Sequence, residues 1–145
     1  MSTGVAVAVA VTFLWLGMVF AISFLEAPLK FRAPYVTRQI GLGIGRLVFR
    51  ALNIIESVLA VVIAAVIAAG APPVTVTGAY LTAFTVLAVQ LIAVRPVLNR
   101  RSDEVLAGLN APRSRGHYAY VALEVAKVIA LTIAGSILLF GPALA

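Results

Sequence analysis

The sequence predicts an all-α integral membrane protein: one domain, a bundle of four transmembrane helices with both termini on the extracytoplasmic side. Three observations carry that expectation. The 145 residues are 63% hydrophobic and only 11% charged, against about half and about a quarter in soluble domains, and the mean hydropathy is +1.11. The apolar residues gather in four runs, roughly 5–25, 47–69, 76–94 and 117–140. Each is long enough to cross a ~30 Å hydrocarbon core at ~1.5 Å per residue. Finally, ten of the eleven Lys and Arg residues lie in or beside the first and third connections, and none lies in the second or at either terminus. Positive charge is retained on the cytoplasmic side, so an even number of spans leaves both ends outside. The backbone must bond internally in lipid, and runs that do not alternate polar with apolar favour helices over a barrel.

The first run has no Lys or Arg before it and continues for about 20 residues. A signal peptide has a positive start and an apolar core of about 7–15 residues, so a retained span is expected. The stretch from Ser23 to Ser57 then leaves one span and enters the next, carrying five of the eleven basic and two of the five acidic residues. Pro28 and Pro34 are expected to end the first helix and stiffen its exit. The run GLGIGR is not a phosphate loop: Arg46 stands where a third glycine belongs, no strand precedes it and no Gly-Lys-Ser/Thr follows. Gly41 and Gly45 are expected instead to let the segment turn or pack closely against a neighbour.

In the second run Arg46, Arg50, Asn53 and Glu56 follow at steps of four, three and three, read as one helical face. Ala60, Ala64 and Ala68 form a small-residue line suited to close helix packing, or reflect only how common alanine is here. GAPPVT makes an uncharged turn. The third run offers Gln90 near its cytoplasmic end. In the basic third connection Arg100, Arg101, Arg113 and Arg115 are expected to meet anionic lipid head groups. The fourth run opens with His117, Tyr120, Glu124 and Lys127, again one face.

Pointed inward, these stripes make a polar cluster in the cytoplasmic half of the bundle: Glu26, Arg50, Asn53, Glu56, Gln90, His117, Tyr120, Glu124 and Lys127. Lys127 lies about 15 Å beyond His117 along a helix, a costly depth for a charge, and is expected to pair with Glu124 or Glu56. That pair serves structure or ion coupling; snorkelling is the third option. His117, the single histidine, reads as an interface or capping residue, or as a pH-sensitive group beside Glu124. With no cysteine, and both methionines outside the cluster, no metal or other cofactor is expected. The net charge of +6 is explained by topology and lipid, and nucleic acid is not an expected partner.

Certain short motifs resemble those of small four-span membrane proteins of the transmembrane-protein-205-like group, whose bacterial relatives form a domain of unknown function. They are Ser23, Phe24, Ala27, Pro28 and Phe31 at the exit of the first span, Gly45, Arg46, Leu47 and Phe49 at the entry to the second, and His117 at the start of the fourth. Glu124 stands where the pattern has Asn, and Glu26 and Glu56 also add charge to it. The resemblance implies a polytopic membrane protein with links to export or stress resistance. RALNIIE, Arg50 to Glu56, separately resembles one helix of the four-helix glutathione and eicosanoid transferases, with Arg and Asn three residues apart instead of four.

The expected function is an ion- or proton-coupled transporter or channel, built as a homo-oligomer, in a bacterial cytoplasmic membrane. An accessory or assembly subunit of a larger membrane complex is the alternative, and a membrane transferase the second alternative. No enzyme motif beyond RALNIIE is present.

Overall fold

The structure, a computed structural model, describes residues 1–109 and 115–144. Among them no strand occurs, and four helices are long and apolar enough to cross a membrane. These are α1 (Thr3–Arg32), α2 (Arg38–Gly70), α3 (Val74–Leu106) and α4 (Arg115–Leu144).

Local chemistry sets their ends. Ser2 caps α1 by accepting the Val5 N–H at 3.2 Å, and Thr37 caps α2 by accepting that of Ile40 at 3.2 Å. α2 ends on Ala71 in the left-handed region (φ 43°), where Pro72 and Pro73 bar further helix. α1 to α3 each exceed 29 residues, longer than the ~20 residues a bilayer core requires. The hydropathic runs missed the excess because it is polar and amphipathic: the starts of α2 and the segment Arg95–Leu106 continue the helix beyond the apolar stretch.

Pro28 does not end the first helix, contrary to expectation. α1 widens into a π-turn over Phe20–Glu26, with the Ala27 N–H bonding back to the Ile22 carbonyl, then continues past Pro28 to Arg32. α3 repeats the device: a π-turn over Gln90–Val94, with the Arg95 N–H bonding to the Gln90 carbonyl, precedes Pro96. Proline removes one N–H and crowds the carbonyl four residues back, and the wider turn relieves both. Pro34 does behave as expected: Ala33 before it is extended (ψ 140°).

α1 packs on α2 and α4, and α3 packs on α4, so the helices form a ring in chain order. α2 meets α3 mainly beyond Arg95, where Gln39 donates to the Val105 carbonyl at 3.1 Å and Arg46 pairs with Asp103. Away from the basic connections the core is dry: Trp15, Ile63, Tyr80 and Leu131 are fully buried among Ala8, Ala83 and Ala134. Thr12 and Tyr80 share a hydrogen bond of 2.6 Å there. Lipid tails are as apolar as these side chains, so in a bilayer close packing, not exclusion from solvent, would hold this region together. The small residues that permit it lie on α4, where Ala130 and Ala134 are buried and a Cβ on Gly135 would stand 3.1 Å from the Phe13 ring. The alanine line on α2 does not serve this purpose: Ala64 and Ala68 face outward, and Leu59 and Ile63 fill the interior.

Candidate functional site

Lys127 is fully buried. Its Nζ lies 2.5 Å from Glu56 Oε1 on α2, 2.5 Å from Glu124 Oε1 on its own helix and 2.8 Å from Gln90 Oε1 on α3. An ammonium has three protons, and all three are used. The expectation of a single carboxylate partner is therefore corrected to two. The surroundings complete the set: Trp15 Nε1 on α1 donates to Glu56 Oε1 at 2.8 Å, and Ser23 Oγ to Glu124 Oε2 at 2.7 Å. Gln90 Nε2 donates to Glu124 Oε1 and to the Tyr120 carbonyl, both at 3.4 Å. Every helix thus contributes to one ionic centre. Two carboxylates face one ammonium, so the centre reaches neutrality only when it also holds a proton. Glu56 Oε2 is buried with no hydrogen-bond partner.

Next to this centre lies a cavity of about 420 Å³, within the range of small-molecule sites. It opens toward the first and third connections. Its wall combines the aromatic rings of Phe24, Phe31, Phe49 and Tyr120 with Lys30, Arg46, Arg95 and Arg101, and its one acidic residue is Glu124. Gly41 and Gly45 shape it. A Cβ on Gly41 would meet the Phe31 ring at 2.2 Å, and one on Gly45 would meet Lys30 Nζ at 2.7 Å. Close approach is thus their role, as expected from the sequence. Lys30 lies 5.7 Å and 5.8 Å from the Phe31 and Phe49 ring centres. Arg95 lies against two mutually perpendicular rings, 5.1 Å from that of Phe49 and 4.7 Å from that of Tyr120. A second crevice of about 520 Å³ runs between α2 and α3 and shares Arg46, Arg95 and Asn99 with the first.

Of the residues expected in the polar cluster, Asn53, Glu56, Gln90, Tyr120, Glu124 and Lys127 are buried together, with Tyr120 donating to Asn53 Oδ1 at 3.4 Å. Three are not part of it. Arg50 is exposed and lines only the second crevice: six residues before Glu56, it sits about 120° round the helix from it. Glu26 is part-exposed and pairs with Lys30 at 3.6 Å, one turn on. His117 is half-buried at the start of α4, edge-on to Tyr118 at 5.6 Å, and lines the cavity rather than the ionic centre. Of the residues expected at lipid head groups, Arg100 and Arg115 are exposed, Arg101 turns into the cavity wall, and Arg113 lies outside the described residues. Among the described residues no group of three or more His, Asp or Glu is placed to hold a metal ion.

Sequence reasoning did not find Trp15 or the ring-bound position of Arg95. Trp15 is the single Trp and sits within an apolar run, where a polar N–H needs a partner; that was the available signal. Of the residues that carry the resemblance to the four-span group, all but the exposed Leu47 line the cavity. The chain matches no protein family, no curated protein and no solved structure.

Proposed function

We propose that the chain is a multi-pass transporter of a bacterial cytoplasmic membrane, in which binding in the cavity is coupled to a proton held by the Glu56–Lys127–Glu124 centre. One observation carries this reading: Glu124 belongs to both places. It lines the cavity and simultaneously bonds Lys127 in the buried centre. A charge arriving in the cavity acts on Glu124, and Glu124 acts on the proton count of the centre. The dry packing around Trp15 and Tyr80 closes the far side, as one-sided access requires. With the basic connections inside, the cavity faces the cytoplasm and both termini face out. The protein works as an oligomer, since four helices leave little room for a full pathway in one protomer. Alkaline phosphatase fused after Ala145 is active under this topology, and a cytoplasmic reporter at the same place is silent.

Reconstitution into vesicles with a trapped pH-sensitive dye tests the coupling. Wild type collapses an imposed pH gradient faster than empty vesicles, and Glu124→Gln does so no faster than empty ones while keeping its melting transition. Equal rates for wild type and Glu124→Gln defeat the reading. The outward line of Ala64 and Ala68 favours a second reading, a subunit docked in a larger complex. Co-migration with a large assembly on a native gel, with no flux from the purified chain, selects it.

A further inference from the structure

Arg95 is the cation whose surroundings leave most undone. Its guanidinium lies against the perpendicular rings of Phe49 and Tyr120. Its Nε and Nη2 are buried and make no hydrogen bond among the described residues. Those two N–H groups point along one edge of the plane, the fork that takes a carboxylate or phosphate through two parallel bonds. A buried donor without a partner costs about 1–3 kcal/mol, more for a charged group, so two on one edge are a standing demand for an anion. The neighbouring acids do not meet it. Glu124 is bonded to Lys127, Ser23 and Gln90 and Asp103 to Arg46, while Glu26 faces Lys30 at 3.6 Å without a hydrogen bond to its buried Oε2.

Arg95 also stands where the two cavities meet. The crevice between α2 and α3 is walled by Arg46, Arg50 and Asn99 toward the connections and by Ile54 and Leu91 beside Asn53 and Ser57 at the level of the apolar runs. α2 and α3 touch little along this stretch, because their contacts gather beyond Arg95. The passage opens sideways between α2 and α3, and of the three arginines that line it only Arg95 has buried N–H groups without a partner among the described residues.

We propose that Arg95 is the head-group site for an anionic amphiphile, a phosphate or carboxylate seated on its Nε–Nη2 fork with an apolar chain leaving between α2 and α3. This names the solute class for the transport site of the preceding section and rests on that reading for the fate of the ligand, though not for its binding. The perpendicular rings of Phe49 and Tyr120 hold the guanidinium from one side, and an anion reaches the buried Nε–Nη2 edge once the side chains covering it give way. Asn53, Ser57 and Asn99 supply neutral polar groups along the passage.

Binding is measured apart from transport, by thermal melting and native mass spectrometry of the purified full chain. The probes are dodecyl phosphate carrying a photoreactive diazirine at the chain end, inorganic phosphate, and dodecyl maltoside as the uncharged control. Dodecyl phosphate raises the melting temperature and is retained; the maltoside does neither. Arg95→Lys, which keeps the charge and removes the fork, weakens retention about tenfold or more, whereas Arg100→Gln leaves it unchanged. Photolysis places the chain end on Ile54, Ser57 or Leu91. Stabilisation by inorganic phosphate to the same degree overturns the amphiphile in favour of a free anion. Labels only around Arg100 and Arg115, or equal retention by wild type and Arg95→Lys, overturn the site itself. Loss of flux in Glu124→Gln with dodecyl phosphate still bound leaves this site standing, and an absence of flux in wild type defeats the transport reading alone.

Discussion

Lys127 and Arg95 are both cations held inside the bundle, and their surroundings differ in kind. Lys127 is fully enclosed, with two carboxylates and an amide oxygen on its three protons. Arg95 lies against two perpendicular rings and leaves two buried N–H groups without a partner among the described residues. The first arrangement completes itself. A lysine at such depth costs ~2.5–3.5 kcal/mol on insertion scales, and its partners offset that cost. The second is completed only by something from outside the chain. A buried charge therefore says little about function until its partners are counted: at Lys127 the ammonium is satisfied and one carboxylate charge is left over, whereas at Arg95 the cation itself is left without an acid. Glu124 touches both regions and joins the enclosed ion cluster to the open cavity.

The sharpest way to break the comparison is to remove the lysine. Lys127→Met strands two carboxylates, and breaking a buried pair costs about 3–5 kcal/mol in soluble proteins. The purified variant is expected to show the largest fall in melting temperature of any single change here. Glu56→Gln works in the opposite sense on charge. It leaves Lys127 balanced by Glu124 alone, and the amide oxygen still accepts from Trp15 and Lys127, so the loss stays within about 1 kcal/mol. Adding Glu56→Gln to Lys127→Met recovers much of the fall, because one carboxylate fewer is stranded. Equal melting of wild type and Lys127→Met would mean that the lysine does not pair at all.

How much of this was legible in the sequence follows from the same geometry. Four apolar runs marked the four long helices because hydropathy does not depend on register. The stripe on α4 held, since His117, Tyr120, Glu124 and Lys127 stay within about 80° of one another at ~100° per residue. The stripe on α2 did not, because steps of four, three and three drift, and Arg50 lies far from Glu56 by the time the count reaches it. Arg95 was hidden for another reason. In an unbroken α-helix it sits about 140° from Gln90. The π-turn before Pro96 closes bonds over five residues and brings both to Tyr120, Gln90 at its carbonyl and Arg95 at its ring. The prolines were visible, but the sequence does not say whether a helix breaks at a proline or widens ahead of it.

The smallest effects separate the two kinds of contact that shape the cavity wall. Gly41 and Gly45 lie one turn apart on α2, and each admits a side chain of α1 into the space a Cβ would take. At Gly41 that side chain is the Phe31 ring, 2.2 Å from the Cβ position. Phe31 is 42% exposed but its ring moves only as a whole, so Gly41→Ala is expected to cost about 1–3 kcal/mol, the usual range for overpacking, and to deform the cavity. At Gly45 it is the end of Lys30, at 2.7 Å. A lysine end swings aside at little cost, and alanine gains up to about 1 kcal/mol over glycine inside a helix. Gly45→Ala should therefore melt within a degree or two of wild type, while shifting one ammonium of the cavity wall. Melting curves of the two variants in the same detergent decide the matter. If Gly45→Ala falls as far as Gly41→Ala, then Lys30 is fixed as firmly as Phe31, and the open region is built as rigidly as the closed one.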